Sequence, residues 1–278
     1  MIQPHIASTD PHLIFRSLDG LRLQGTLVRP DQDPLGAVVL VHGGGVTREE
    51  GGFFGRLAEG LAAAGFASLR FDLRGHGESA GRQEDLTLAG IVNDIRAAVE
   101  VANETAGGQV HLIGASFGGG VSALYAARHP GTLRSLILFN PLLDYKKRFV
   151  TDKPYWHDDH LDTDAAQALT ERGFLAHSPT FRLGCPLLNE VFHLHPHEEL
   201  AAIRIPTLFV HGTADTFIPI DSSRHYVRHL GGKAELVELD GAQHGFAVHD
   251  DPQYADPQTQ RWQAQVVETV TEWVTTHR

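Results

Sequence analysis

The chain changes texture near residue 37. Before it, residues 12 to 29 read as two short strands around Asp19-Gly20, a dipeptide that favours the tight turn of a β-hairpin. From Ala37 onward, short runs rich in leucine and β-branched residues alternate with longer segments whose apolar residues recur at helical spacing. The runs are AVVLVH at 37–42, ASLRF at 67–71, VHLIG at 110–114 and SLILF at 135–139. Short runs of this kind alternating with longer segments of helical apolar period fit the strands and crossover helices of a parallel sheet. Phe53, Phe54, Leu57 and Leu61 share one face of the first helix; Leu88, Ile91, Val92, Ile95 and Val99 share one face of the second. A third helix, made largely of small residues, follows Ser116.

The alternation breaks between about Pro141 and Ile205, in a stretch rich in His, Asp and Pro with short helical patterns such as 164–175. It resumes with the strand TLFVH at 207–211, a helix near 221–230, the strand AELVEL at 234–239 and a last helix around 257–276. The expected fold class is therefore α/β: a mostly parallel central sheet flanked by helices. Residues 1–140 and 206–278 would form its core, with 141–205 inserted after the sixth strand as a lid. A length of 278 residues suits one such domain.

Chemistry enters at Gly114-Ala115-Ser116-Phe117-Gly118, a G-x-S-x-G pattern placed between a strand and a helix. The flanks matter more than the pattern, because the motif works only at a sharp strand-to-helix turn that exposes the serine hydroxyl. Bulky neighbours at 114 and 118 would collide with the adjoining strand and helix. A serine hydroxyl needs a base, and the base needs a buried carboxylate to hold its tautomer. With 18 histidines composition cannot choose the base, but position can. His244 follows the last strand and Asp215 follows TLFVH, so both project from the C-terminal edge of the sheet, where chemistry gathers in open α/β folds. The order Ser, Asp, His along the chain is the one this fold uses. Negative charge developing on the substrate carbonyl calls for backbone donors. Those expected are the amide of Phe117 and, from the loop His42-Gly43-Gly44-Gly45, the amide of Gly44, with Gly45 as the alternative.

Taken together, His42-Gly43-Gly44, Arg70-Phe71-Asp72-Leu73-Arg74-Gly75-His76-Gly77-Glu78-Ser79, the 114–118 turn, His211-Gly212-Thr213-Ala214-Asp215 and His244-Gly245-Phe246 resemble the α/β-hydrolase superfamily, over nearly the whole chain outside the insertion. Within it, the chain is most similar to the bacterial cinnamoyl and feruloyl esterase-like branch. That resemblance implies a lid after the sixth strand and hydrolysis of esters of small aromatic or acyl acids. Gly44 and Gly45 depart from the branch, which often carries a bulky residue after His-Gly. Asp72, Arg74 and His76 are read as structural, since the triad supplies every proton transfer.

The expected activity is a serine hydrolase that cleaves a small carboxylic ester, of aryl or cinnamoyl type by the resemblance. Thioester, lactone or amide hydrolysis would use the same triad, and a non-catalytic ligand-binding member of the fold is the rival reading. Substrate contacts are expected from Gly45 and, in the insertion, from Asp144, Tyr145 and Trp156, which offer polar groups and an aromatic wall.

Charge and composition narrow the partners. A formal net charge of -11 disfavours nucleic acid and anionic membrane surfaces, leaving a small-molecule ester and a monomer or dimer. The first residues lack a charged region followed by an apolar stretch, so a cytoplasmic protein is expected. The single cysteine, Cys185, reads as a small buried apolar residue. His193-Leu194-His195-Pro196-His197 converges poorly on one ion, and neither a metal nor another cofactor is expected.

Overall fold

The computed structural model describes residues 8–108 and 110–278. Residues 1–7, which carry part of the reading for a leader segment, lie outside the described residues. An eight-stranded sheet runs through the molecule. Its strands are β1 Ser8–Arg16, β2 Arg22–Arg29, β3 Ala37–Val41, β4 Ala67–Phe71, β5 Val110–Ala115, β6 Leu133–Phe139, β7 Thr207–Gly212 and β8 Ala234–Leu239. Their order in space is β1-β2-β4-β3-β5-β6-β7-β8. The first two form the antiparallel hairpin and β2 meets β4 antiparallel; every pairing from β4 to β8 is parallel.

Alternate side chains of the parallel strands feed two cores, one on each face. Val39, Val41, Leu112 and Leu136 pack with helices α2 Leu88–Ala106 and α3 Phe117–Arg128. Val38, Leu40, Ile113 and Val210 pack with α1 Phe53–Ala63 and the C-terminal α7 Pro257–Thr276, whose Val266, Val270 and Val274 are fully buried. Each such aliphatic side chain removed from water contributes about 1.5–3 kcal/mol. Local signals set the helix ends. Thr87 accepts the Gly90 amide at 2.9 Å to start α2, which stops at Gly107 with φ of 65°.

The segment between β6 and β7 holds a π-helical turn, Lys147–Thr151, helices α4 Thr163–Arg172 and α5 Cys185–Glu190, and two short hairpins. It has no separate core. Leu143, Tyr145, Phe149, Phe181 and Leu187 belong to the same buried cluster as Val121 and Leu138. The Arg182 amide donates to Gln83 Oε1 at 3.0 Å, and Gln83 donates in turn to the Thr180 carbonyl at 3.0 Å. Those bonds tie the segment to the loop before α2, beyond the C-terminal ends of the strands. Cys185 is exposed at the start of α5, against the expectation that it would be buried. The helix expected over 221–230 is shorter: α6 covers Asp221–Tyr226 and tightens into a 3-10 turn at Val227–His229. No helix among the described residues is long and apolar enough to cross a membrane.

Candidate active site

Ser116 follows β5 and caps α3 with φ 50° and ψ -119°, a backbone conformation that non-glycine residues rarely hold. The strain is locked by three hydrogen bonds. The Ser116 amide donates to the Phe139 carbonyl at 2.9 Å, while its own carbonyl accepts from Gly119 at 3.0 Å and Leu142 at 2.9 Å. Both flanking glycines are sterically required. A Cβ at Gly114 would lie 2.5 Å from Ser122 Oγ, and one at Gly118 would lie 2.4 Å from the His42 carbonyl oxygen. The G-x-S-x-G pattern therefore reports a real turn that leaves Ser116 at a helix N-terminus.

Asp215 follows β7, its side chain wholly buried. One oxygen, Oδ1, accepts the amides of Phe217 and Ile218 at 2.8 and 2.9 Å; the other, Oδ2, accepts from His244 Nδ1 at 2.7 Å. Burial by itself would raise this carboxyl. Hydrogen bonds from His211 and His244 and from the Ile218 amide outweigh it and hold Asp215 well below the usual carboxylate range. The ionised acid fixes the proton of His244 on Nδ1 and leaves Nε2 as the basic nitrogen. Ser116 and His244 line one cavity of about 40 Å³ together with Glu50, Phe139 and Tyr254. Among the described residues no hydrogen bond joins the hydroxyl to the imidazole, and catalytic bonds of this kind commonly tighten only around the reacting group.

The loop after β3 sorts its three amides. That of Gly43 donates to Glu50 Oε1 at 2.5 Å, and that of Gly45 donates to His76 Nε2 at 3.1 Å. Between them the Gly44 amide has no protein acceptor among the described residues, nor has that of Phe117. Two buried histidines hold the loop as neutral imidazoles. His42 accepts the Leu73 amide through Nε2 at 3.0 Å, and burial and the neighbouring His76 push it down to about 3. Burial likewise lowers His76. Gly45, with φ of 78°, is thus committed to the loop through its bond to His76.

With this geometry in place, comparison with known proteins is decisive for the family. The model of the family described as serine aminopeptidase, S33, matches residues 32–252. The chain belongs to this family of α/β-hydrolases. A monoacylglycerol lipase of Mycolicibacterium smegmatis is 28% identical over 292 residues, covering 98% of this chain and 99% of that protein. Among solved structures, Est1E of Butyrivibrio proteoclasticus with bound ferulic acid superposes with a TM-score of 0.79 at 22% identity, over 95% of this chain and 98% of that one. A monoacylglycerol lipase of Paleococcus ferrophilus gives 0.65 at 25% identity, over 93% and 99%.

In this hydrolase the substrate residues expected from sequence are scattered. Tyr145 is 1% exposed and its hydroxyl donates to the Phe117 carbonyl at 2.5 Å, so it braces α3 inside the core. Trp156 packs against Phe192, with ring centroids 5.8 Å apart, in a short hairpin where it pairs with Leu161. Asp144 lines a separate cavity beside the acid loop. Asp72 and Arg74 are tied into the surrounding loops by hydrogen bonds. Asp72 accepts the amides of Arg48 and Glu78 at 2.8 and 2.9 Å, and Arg74 forks onto Asp94 at 2.8 and 2.7 Å.

Two residues the sequence reading passed over complete the site. Phe181, from the segment after β6, lays its ring where a side chain at 44 would go, 2.7 Å from a Cβ built there. It supplies from a distance the bulk that the Gly-Gly loop lacks. Glu50, with φ of 44°, turns its carboxylate into the Ser116 cavity; burial raises it, while its bond to Gly43 and the nearby His244 oppose the rise. The sequence signal for Glu50 is the Gly51-Gly52 pair behind it, both at positive φ, which reverses the chain toward β3.

Proposed function

We propose that the chain is a serine hydrolase that cleaves a small carboxylic ester through an acyl-serine intermediate. The observation that carries the reading is the strained Ser116 turn sharing one cavity with His244, itself held by Asp215 at 2.7 Å. His244 Nε2 takes the Ser116 proton as Oγ attacks the ester carbonyl. The amides of Gly44 and Phe117 receive the carbonyl oxygen as it gains charge, in a site where such donors are worth several kcal/mol. The imidazolium then protonates the departing alcohol. Water, activated by the same nitrogen, releases the acid and restores the serine.

An ester as the scissile bond is supported by the relatives named as monoacylglycerol lipases. A small group next to the serine is supported by the tight cavity and by Phe181 over Gly44. Residues 141–205 act in this reading as the lid that shapes the pocket. Steady-state assays on p-nitrophenyl acetate, butyrate and decanoate, with an anilide and a thioester alongside, test it. Turnover of the short esters that vanishes in Ser116→Ala is expected. Undiminished turnover in that variant, or preference for the anilide, would overturn the reading.

A further inference from the structure

A larger cavity of about 480 Å³ opens beside the loop that carries Asp215. Leu142, Phe217, Ile218 and Pro219 give it apolar walls, and Lys147 and Arg148 reach it from the π-helical turn. Turns of this kind are rare and recur at functional sites. This one buries Phe149 and Val150 and sends Arg148 to the cavity. Phe217 links the cavity to the reacting groups. Its ring lies 5.0 Å from that of His244, and the Arg148 guanidinium sits 4.2 Å above the same ring.

The charges around this cavity divide into paired and unpaired. Lys147 donates to Asp152 at 2.5 Å, while Asp144 accepts the Lys147 amide at 2.9 Å and faces His197 at 3.9 Å. Among the described residues the Arg148 guanidinium forms no ion pair, and its Nε is buried without a hydrogen-bond partner. Burial disfavours its charge, and Asp152 and Asp215 attract it only from a distance. Lys153 is a second cation nearby, lowered by burial and by Arg148. Burial, then Lys153 and Arg148, push His177 down to about 4, so this imidazole stays neutral beside Phe217, its Nδ1 also lacking a partner.

A part-buried cation that has an aromatic face but no anion beside it is costly, and a ligand anion would complete it. The planar fork of arginine matches a carboxylate through two parallel hydrogen bonds. A doubly charged phosphate fits less well, because Asp144 and Asp152 line the same cavity. We propose that Arg148 receives a free carboxylate carried by the substrate, so that the ester cleaved at Ser116 belongs to a molecule with a second acid group, such as the half-ester of a dicarboxylic acid. This rests on the ester-hydrolase reading above for its reaction, but not for its binding site.

Two esters of equal chain length, mono-p-nitrophenyl adipate and p-nitrophenyl hexanoate, separate the charge from the chain. The wild type should favour the anionic ester. In Arg148→Gln the ratio of kcat/KM for the anionic over the neutral ester should fall about 10- to 100-fold, mostly through KM, with Arg148→Lys keeping part of the preference. An unchanged ratio, or a wild type indifferent to the charge, overturns the proposal. Calorimetric titration of adipate into Ser116→Ala, with and without Arg148→Gln, reads the site without turnover. Binding that depends on Arg148 in a protein that hydrolyses no ester would keep the anion site and sink the reaction. Ester turnover with adipate binding absent or independent of Arg148 would do the reverse.

Discussion

Asp215→Asn changes one atom and, by the geometry around it, should silence the enzyme. The wild-type carboxylate divides its work: Oδ1 accepts two backbone amides at 2.8 and 2.9 Å and Oδ2 meets His244 Nδ1 at 2.7 Å. An asparagine must keep its oxygen on the two amides, since turning its NH2 toward them would set donors against donors. The NH2 then faces His244 and donates to Nδ1. That moves the imidazole proton to Nε2, the nitrogen that must accept the Ser116 proton. A wrong tautomer of this kind costs about ten-thousand-fold in kcat, equivalent to about 5.5 kcal/mol of transition-state stabilisation. KM should move far less, because no substrate contact is lost. Initial rates on a short p-nitrophenyl ester measure the loss, and nitrogen NMR of the imidazole reports which ring nitrogen carries the proton. Activity within tenfold of wild type, or a proton still on Nδ1 in the variant, would refute the reasoning.

Other consequences can be checked separately. Buried neutral His42 and His111, both pushed down to about 3 mainly by burial, bind protons more readily in the unfolded chain. Stability should therefore fall as pH drops below about 6.5, by about 2 kcal/mol for each histidine at pH 5. Urea melts that superimpose at pH 7 and pH 5 would exclude this. Gly118→Ala forces a Cβ against the His42 and Val41 carbonyl oxygens at 2.4 and 2.7 Å and should destabilise the fold by about 3 kcal/mol or more, read by thermal melting.

What the sequence disclosed depended on whether neighbours along the chain or across it decide a residue's role. The sheet was legible because β3 through β6 are buried along most of their length and so carry mostly apolar runs. The Ser116 turn was legible because its glycines answer to atoms within a few residues or on the adjacent strand. Asp215 and His244 could be placed because each directly follows a strand. Glu50 was not, since in Thr-Arg-Glu-Glu it looks like any solvated acid, and only the reversal at Gly51-Gly52 carries it to Gly43. Tyr145 misled for the opposite reason: an aromatic residue in a polar insertion suggests a pocket wall, yet its ring packs on Phe117. Arg148 was hidden in a short basic run whose direction is set by a π-helical turn that no apolar period announces.

The central claim is that Ser116 carries the acyl group. Incubation with a fluorophosphonate ester, followed by intact-mass measurement and peptide mapping, tests it most directly. One adduct per chain on the peptide containing Ser116, absent in Ser116→Ala and parallel to loss of esterase activity, is the predicted result. Full inactivation with the label on another residue, or catalysis that survives complete labelling of Ser116, would contradict the account.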